Sequence, residues 1–354
     1  MRRPRLVVVG GGQSGLAAAR AGSEHGWEPV ILEAGPEPVG SWPAYYDSLR
    51  LFSPSEFSGF PGYRFPGPAG HYPTRDEVVG FLRGYAGWLG VDIRTGSRVV
   101  DVAAGDGTFT ATLADGELVA GDAMVAATGS FANGYLPTIA GSQEFGGQVL
   151  HVAAYRSPEV FAGQRVVVVG AGNSAVQVGY ELAQVAETSL AVRERIRFMP
   201  QVRAGRDVHF WLHTLGVDRL PPSVLSRIVH GTPVLDTGTY RDALACGALD
   251  QRRMFTAFTD DGVTWPDGTR ERVDAVIFAT GYRPHLPYLE SLDALDGTGM
   301  PRHRRGVSTT HPALGYLGLE LQRSLSSNTL RGVHRDAGHV LRSMAVQSRR
   351  VSVG

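Results

Sequence analysis

Apolar residues along this chain come in short, unbroken runs that stop at glycine. Leu6-Val7-Val8-Val9 runs into Gly10-Gly11-Gly12-Gln13-Ser14-Gly15, and Leu16-Ala17-Ala18-Ala19-Arg20 follows. A β-branched run without polar alternation predicts a parallel strand buried on both faces, and the alanine-rich stretch predicts a helix. Val30-Ile31-Leu32 predicts a second strand, ending at Glu33. The pattern then recurs. Val166-Val167-Val168-Val169 leads into Gly170-Ala171-Gly172-Asn173-Ser174-Ala175, and Ser189-Leu190-Ala191-Val192 predicts the next strand. Both copies also end alike. Asp115-Gly116 and Asp267-Gly268 are hairpin-turn signals. Each precedes an apolar strand, Ala123-Met124-Val125-Ala126 or Ala275-Val276-Ile277-Phe278, and then the same triplet, Ala127-Thr128-Gly129 or Ala279-Thr280-Gly281.

A glycine-rich turn between a strand and a helix suits a dinucleotide. In G-x-G-x-x-G the first glycine makes the turn, the second admits a pyrophosphate, and the third lets helix pack on strand. The helix N-terminus then offers its free amides to the phosphates. Gly10, Gly12 and Gly15 fill these places in the first copy, with Gln13 and Ser14 opening the helix. Gly170, Gly172 and Ala175 fill them in the second, with Asn173 and Ser174, and alanine still permits close packing. The copies differ 18 residues further on, where the first has Glu33 and the second Arg193. A carboxylate there hydrogen-bonds a free ribose 2′-hydroxyl. A guanidinium suits a 2′-phosphate through a charge-assisted bidentate contact. The first site is therefore expected to hold FAD and the second NADPH. Arg195 adds positive field, and Glu194 leaves NADH acceptable as well. Two such sites on one chain predict hydride transfer between bound cofactors.

Composition narrows the chemistry. The 34 basic residues, all of them arginine, balance 34 acidic ones. Neither nucleic acid nor a membrane surface is then an expected partner. Without lysine there is no Schiff-base enzyme, no phosphate-loop ATPase and no protein kinase. The single cysteine, Cys246, rules out a redox dithiol and a cysteine-rich zinc or iron–sulfur site. No run approaches the roughly 18 apolar residues of a membrane span. Leu6–Val9 is too short for a signal-peptide core, so a cytoplasmic protein is expected. His209 and His213 stand at i and i+4, a spacing that can ligate a metal on a helix. No third ligand is evident, so an amphipathic segment is expected there and no metal.

Phe145-Gly146-Gly147-Gln148-Val149-Leu150-His151-Val152-Ala153-Ala154-Tyr155 reads F-x-G-x-x-x-H-x-x-x-Y, just before the second glycine-rich turn. With both flanking nucleotide motifs, this resembles the fingerprint of class B flavin-dependent monooxygenases, and most of all the short bacterial flavin-containing type. YUCCA-like and Baeyer–Villiger enzymes are more distant. The resemblance implies an α/β protein of two Rossmann-like dinucleotide-binding domains, the NADP domain inserted into the FAD domain. FAD binding then falls to residues 1–140 and 283–354, and NAD(P) binding to 141–282. Gly40-Ser41-Trp42 resembles the family's segment beside the flavin ring, and Gly318, Ser327 and Thr329 its segment returning to the flavin. Ala127, Thr128 and Gly129 are expected at FAD, and Thr280, Gly281 and Tyr282 at NADP. Phe52 aligns where long flavin-containing monooxygenases carry an asparagine over the flavin, and it has no donor. Gln322 and Asn328 are candidates for polar groups of the same pocket. The implied reaction inserts one oxygen of O₂ into a small sulfide, amine or ketone through a C4a-(hydro)peroxyflavin. The alternative is an NAD(P)H oxidase or a small-acceptor flavin reductase. A monomer or homodimer is expected, with only small-molecule substrate and O₂ as partners, and no acid–base residue is assigned.

Overall fold

The structure, a computed structural model, describes residues 3–228 and 233–351. One unit occurs twice. The first opens with β1 (Arg5–Val9), α1 (Gln13–Glu24) and β2 (Glu28–Leu32). An irregular stretch follows, with 3-10 turns at Trp42–Ala44 and Ser55–Phe57, and then α2 (Arg75–Leu89) and β3 (Asp92–Arg94). An antiparallel meander of β4 (Val99–Gly105), β5 (Thr108–Leu113) and β6 (Leu118–Gly121) leads to β7 (Ala123–Ala126). The second unit runs β8 (Gln148–His151), β9 (Arg165–Val169), α3 (Asn173–Leu182) and β10 (Glu187–Val192). An excursion carries α4 (Val208–Thr214), α5 (Pro222–Ile228) and α6 (Thr239–Ala245) and returns at β11 (Asp250–Arg253). A second meander, β12 (Ala257–Phe258), β13 (Gly262–Thr264) and β14 (Arg270–Arg272), leads to β15 (Ala275–Phe278). The chain then rejoins the first unit through β16 (His303–Arg304), β17 (Val307–Ser308), β18 (Leu314–Tyr316) and α7 (Leu330–Val351).

The first sheet has the order β16-β17-β18-β7-β1-β2-β3 and the second β11-β10-β9-β15-β8. In each, the glycine-turn strand lies between the strand that follows its helix and the strand that ends in the Ala-Thr-Gly triplet. All these pairings are parallel. The fold is thus two Rossmann-like α/β units, the second inserted between β7 and β16. Both hairpin signals lie in meander turns, between β5 and β6 and between β13 and β14.

The side-chain alternation of β1 explains its central place. Leu6 and Val8 point to a layer made with Leu16, Leu341 and Met344 of α1 and α7. Val7 and Val9 point to the opposite layer with Phe109, Leu113 and Leu289. Leu6, Val7 and Val8 are fully buried, worth roughly 1.5–3 kcal/mol apiece. Helix α2 begins where Thr74 and Glu77 cap one another reciprocally and ends at Gly90 in the left-handed region. The units are not merely tethered, because Tyr46 and Leu49 of the first unit's irregular stretch lie in the core of the second.

The third position of each glycine-rich turn shows why one copy has glycine and the other alanine. A Cβ on Gly15 would lie 1.8 Å from the Gly10 carbonyl oxygen, a backbone atom that cannot swing aside. Ala175 is fully buried, and its methyl sits in the second turn without such a clash. Gly15→Ala should therefore destabilise the protein by more than about 2 kcal/mol. Ala175→Gly should cost only about 1 kcal/mol, the helix-propensity difference. Urea-unfolding midpoints of the two variants test this, and equal losses would refute the packing difference.

Candidate functional site

The first glycine-rich turn forms a bare cradle. Gly10 turns with φ +103°, and its Cβ would meet the Ala127 carbonyl oxygen at 2.7 Å. Gly12 caps α1 with no side-chain bond, and the first turn of α1 has no acidic residue, so its amides face outward uncompensated. Gly12 and Gly40 lie back to back. A Cβ on Gly12 would come within 3.3 Å of the Gly40 Cα, and one on Gly40 within 2.8 Å of the Gly12 Cα. Across the cradle Gly318, φ +87°, leaves room for Ser14, whose hydroxyl a Cβ there would strike at 2.4 Å. Gln13 donates Nε2–H to the Asn328 carbonyl at 2.8 Å, while its Oε1 is buried without a partner. Glu33 stands at the end of β2, its carboxylate accepting from the Gly11 and Gly35 amides at 2.5 and 2.6 Å. An uncapped helix end, a cleft with no Cβ in it and a carboxylate at the expected ribose position fit an adenine dinucleotide pyrophosphate.

The second turn repeats this. Gly170 has φ +144°, and its Cβ would meet the Ala279 carbonyl oxygen at 2.5 Å. Gly172 caps α3 without a side-chain bond and has open space where its Cβ would be. Asn173 accepts from the Leu235 amide at 3.1 Å, which ties the excursion to the start of α3 and leaves its Nδ2 unused by this bond. Ser174 is partly buried beside it, and Arg193, Glu194 and Arg195 are exposed just past β10. These residues fit a second dinucleotide, with two guanidinium groups beyond the strand that carries the ribose position.

The Ala-Thr-Gly triplets close both cradles, with Gly129 at φ +69° and Gly281 at φ +83°. Thr128 pairs with the Tyr288 hydroxyl at 3.2 Å, and Thr280 donates to the Tyr135 carbonyl. The Gly281 carbonyl accepts from His151 Nε2–H at 3.0 Å and the Tyr135 amide at 2.9 Å. His151 Nδ1 accepts from the Ala153 amide at 3.1 Å, so its tautomer is fixed. Burial holds its pKa below the usual histidine value despite the bond to Gly281. His151 thus acts as a neutral strut at the junction of the units. Phe145 and Tyr155 of the same fingerprint are buried core aromatics.

Between the units lies an aromatic seam of Trp42, Tyr45, Phe131 and Tyr282, with successive ring centroids 5.3, 4.2 and 5.3 Å apart. Ser41 precedes the 3-10 turn that carries Trp42. Phe52 is 38% exposed, and its ring lies 6.0 Å from that of His209 at 23°. In the returning segment, Ser327 accepts from the Arg323 and Ser324 amides at 3.0 Å, and Thr329 donates to the Ser326 carbonyl at 2.8 Å. Asn328 is exposed. Gln322 is buried, and its amide donates to the Tyr316 carbonyl at 2.7 Å, which holds the chain after β18.

Sequence reasoning passed over the group behind Phe52. Asp207 accepts from Tyr72, Gln201 and His209, and Gln201 reaches the Phe52 carbonyl at 3.0 Å. Burial alone would raise the Asp207 pKa, but these bonds outweigh it and hold the carboxyl below its usual range. Burial and the bond to Asp207 push the Tyr72 phenol up. An aspartate just before an apolar helical run is a readable N-cap. Its bond to Tyr72 has no local signal. Among the described residues no group of three or more His, Cys, Asp or Glu is placed to hold a metal ion, and no helix is long and apolar enough to cross a membrane.

The family described as pyridine nucleotide-disulphide oxidoreductase matches residues 7–314. The indole-3-pyruvate monooxygenase YUCCA1 of Oryza sativa subsp. japonica is 32% identical over 317 residues, 80% of this chain and 78% of that protein. An uncharacterized CzcO-like oxidoreductase of Geobacillus kaustophilus is 29% identical over 95% of this chain and 97% of its own. The solved flavin-containing monooxygenase from Stenotrophomonas maltophilia superposes with a TM-score of 0.84 at 31% identity, covering 98% of this chain and all of that one.

Filling the first cradle should abolish its use. Gly12→Val puts a branched side chain against Gly40 where a pyrophosphate must pass. The purified variant should lose the visible flavin spectrum while the second unit stays folded by limited proteolysis. A yellow variant with unchanged flavin content would refute the assignment.

Proposed function

Because the chain belongs to the pyridine nucleotide-disulphide oxidoreductase family, among the class B flavin-dependent monooxygenases, we propose that it is an FAD- and NADPH-dependent monooxygenase. It inserts one oxygen of O₂ into a small soft nucleophile, a sulfide or amine, or into a ketone. The observation that carries this reading is the paired cradle, two uncapped glycine-rich turns of one geometry on a chain with a single, exposed cysteine. The disulphide chemistry in the family's description needs a redox dithiol, and Cys246 alone cannot form one.

In this reading residues 1–140 and 283–354 bind FAD and 141–282 bind the nicotinamide coenzyme. FAD, when bound, supplies the redox centre that nicotinamide reduces and that O₂ then reoxidises. The chain's own residues bind, orient and exclude water. Gly10 makes the turn, Gly12 leaves space for the pyrophosphate beside Gly40, Gly15 lets α1 pack on the turn, and Gln13 and Ser14 open the helix whose amides receive it. Glu33 takes the ribose hydroxyls. Ala127, Thr128, Gly129, Gly318, Ser327 and Thr329 line the remaining wall, and Ser41 and Trp42 flank the ring. Gly170, Gly172, Asn173, Ser174 and Ala175 receive the second pyrophosphate, Arg193 and Arg195 the 2′-phosphate, and Thr280, Gly281 and Tyr282 the nicotinamide side. Phe52 is an apolar wall, and Asn328, exposed, accepts from Gln13 through its backbone carbonyl.

One observation favours a second reading. Phe52 offers no hydrogen-bond donor, which suits an NAD(P)H oxidase that releases peroxide. NADPH-dependent oxygen uptake, screened against thioethers, amines and cyclic ketones with peroxide measured in parallel, separates the two. Oxygenated product from at least one class supports the monooxygenase. Peroxide equal to NADPH consumed in every case supports the oxidase.

Coenzyme choice gives a sharper test. A charge-assisted contact from Arg193 to a 2′-phosphate is worth roughly 1.5–3 kcal/mol, or about 10- to 150-fold in affinity. Arg193→Ala should raise the NADPH KM over that range and leave NADH nearly unchanged. Equal weakening of both coenzymes would make Arg193 structural and leave Arg195 as the phosphate ligand.

A further inference from the structure

Asp207 sits at the N-cap of α4 with its side chain 11% exposed, and four donors converge on it. Oδ1 accepts from the His209 amide and His209 Nδ1–H, both at 2.7 Å. Oδ2 accepts from the Tyr72 hydroxyl and Gln201 Nε2–H, both at 2.5 Å. Every lone-pair direction of the carboxylate is therefore used. Tyr72 comes from the first unit, just before α2, and the other donors come from the second unit's excursion.

Two of these donors also hold Phe52. The second hydrogen of Gln201 Nε2 goes to the Phe52 carbonyl at 3.0 Å. The His209 ring lies nearly parallel to the Phe52 ring, 6.0 Å away, and also packs against Phe57 at 6.5 Å. Backbone and ring of Phe52 are thus both set by residues that Asp207 orients. The excursion is anchored independently further on. Asp218 and Arg331, both buried, form a forked ion pair with distances of 3.0–3.3 Å, and Ser326 donates to the Asp218 carbonyl at 3.1 Å. This anchor shares no residue with the Asp207 group.

We propose that Asp207 is a positioning residue of the oxygenation site: through Gln201 it fixes the Phe52 backbone, through His209 the Phe52 ring, and so keeps Phe52 closed as a water-excluding wall. This rests on the monooxygenase reading above. A wall held this way limits the water and peroxide exchange that diverts reducing equivalents from product.

Three readouts test it on flavin-loaded protein, and one of them also works without flavin. Asp207→Asn should retain flavin content and an NADPH KM within about twofold. The share of NADPH lost as peroxide should rise about threefold or more, and acrylamide quenching of bound-flavin fluorescence should rise with it. Phe52→Ala should do the same, and the double variant should be no worse than Phe52→Ala alone, since both changes act on one wall. Gln201→Met, which keeps Asp207 and His209, should give part of the effect. In ¹⁵N spectra of the flavin-free protein, Asp207→Asn should shift His209 away from its Nδ1–H tautomer. Additive single effects, or unchanged quenching and peroxide share in both Asp207→Asn and Gln201→Met, would overturn the proposal. If no preparation takes up flavin, the functional reading fails instead, while the His209 spectrum still reports whether Asp207 orients it.

Discussion

The structure turns on a close approach that occurs twice. At the end of β1 in one unit and of β9 in the other a glycine passes under a carbonyl of the Ala-Thr-Gly triplet, with less than 3 Å available where a Cβ would go. That contact brings the helix N-terminus to the sheet's edge and the triplet to the opposite lip. Because the amide of the same glycine donates to the neighbouring strand, Gly10 to the Leu32 carbonyl and Gly170 to the Ala191 carbonyl, three strands are set together. Everything that makes a cofactor site, the bare amides, the ribose position and the closing turn, is positioned relative to this point.

Why this much was legible in the sequence follows from the same contact. A site made from one turn and its adjoining strands is local, so Gly10, Gly12, Glu33, Gly170 and Arg193 announce themselves by spacing. The meander turns at Asp115-Gly116 and Asp267-Gly268 are local too. The excursion after β10 is different. Asp207 meets Tyr72 across 135 positions, and Asp218 meets Arg331 across 113. Such pairs leave no period or motif behind. His209 shows the difficulty from the other side. The amphipathic segment expected around it is α4, but nothing local says that His209 lies buried there between a carboxylate and two phenylalanines. Gln322 reads as a free polar group in a segment rich in them, yet its amide is taken by the backbone after β18.

The two units also divide the labour between rigidity and chemistry. One buried ion pair joins the units. Asp218 and Arg331 are paired, and Arg323 bonds Asp336 at 3.1 Å beside them. A buried pair contributes little net stability, but breaking one partner is costly, so such contacts specify a single docking geometry more than they strengthen it. The aromatic seam from Trp42 to Tyr282 is softer, held by area and ring packing. The space between the cradles is therefore bounded by polar contacts with fixed directions and by aromatic faces that tolerate small adjustments.

The strand that flanks the Ala-Thr-Gly strand comes from opposite ends of the sequence in the two units. In the second unit β8 precedes the glycine-turn strand, whereas in the first its counterpart β18 arrives almost two hundred residues after β7. The second unit is a rearranged copy of the first and is complete in one continuous stretch. During synthesis, then, the second unit can close its core while the first still lacks β18 and α7, whose Val333, Val340 and Leu341 finish the layer under β1. Gly318, across the first cradle from Ser14, also follows the second unit in the chain. The first unit can thus complete its assembly against a neighbour that has already folded.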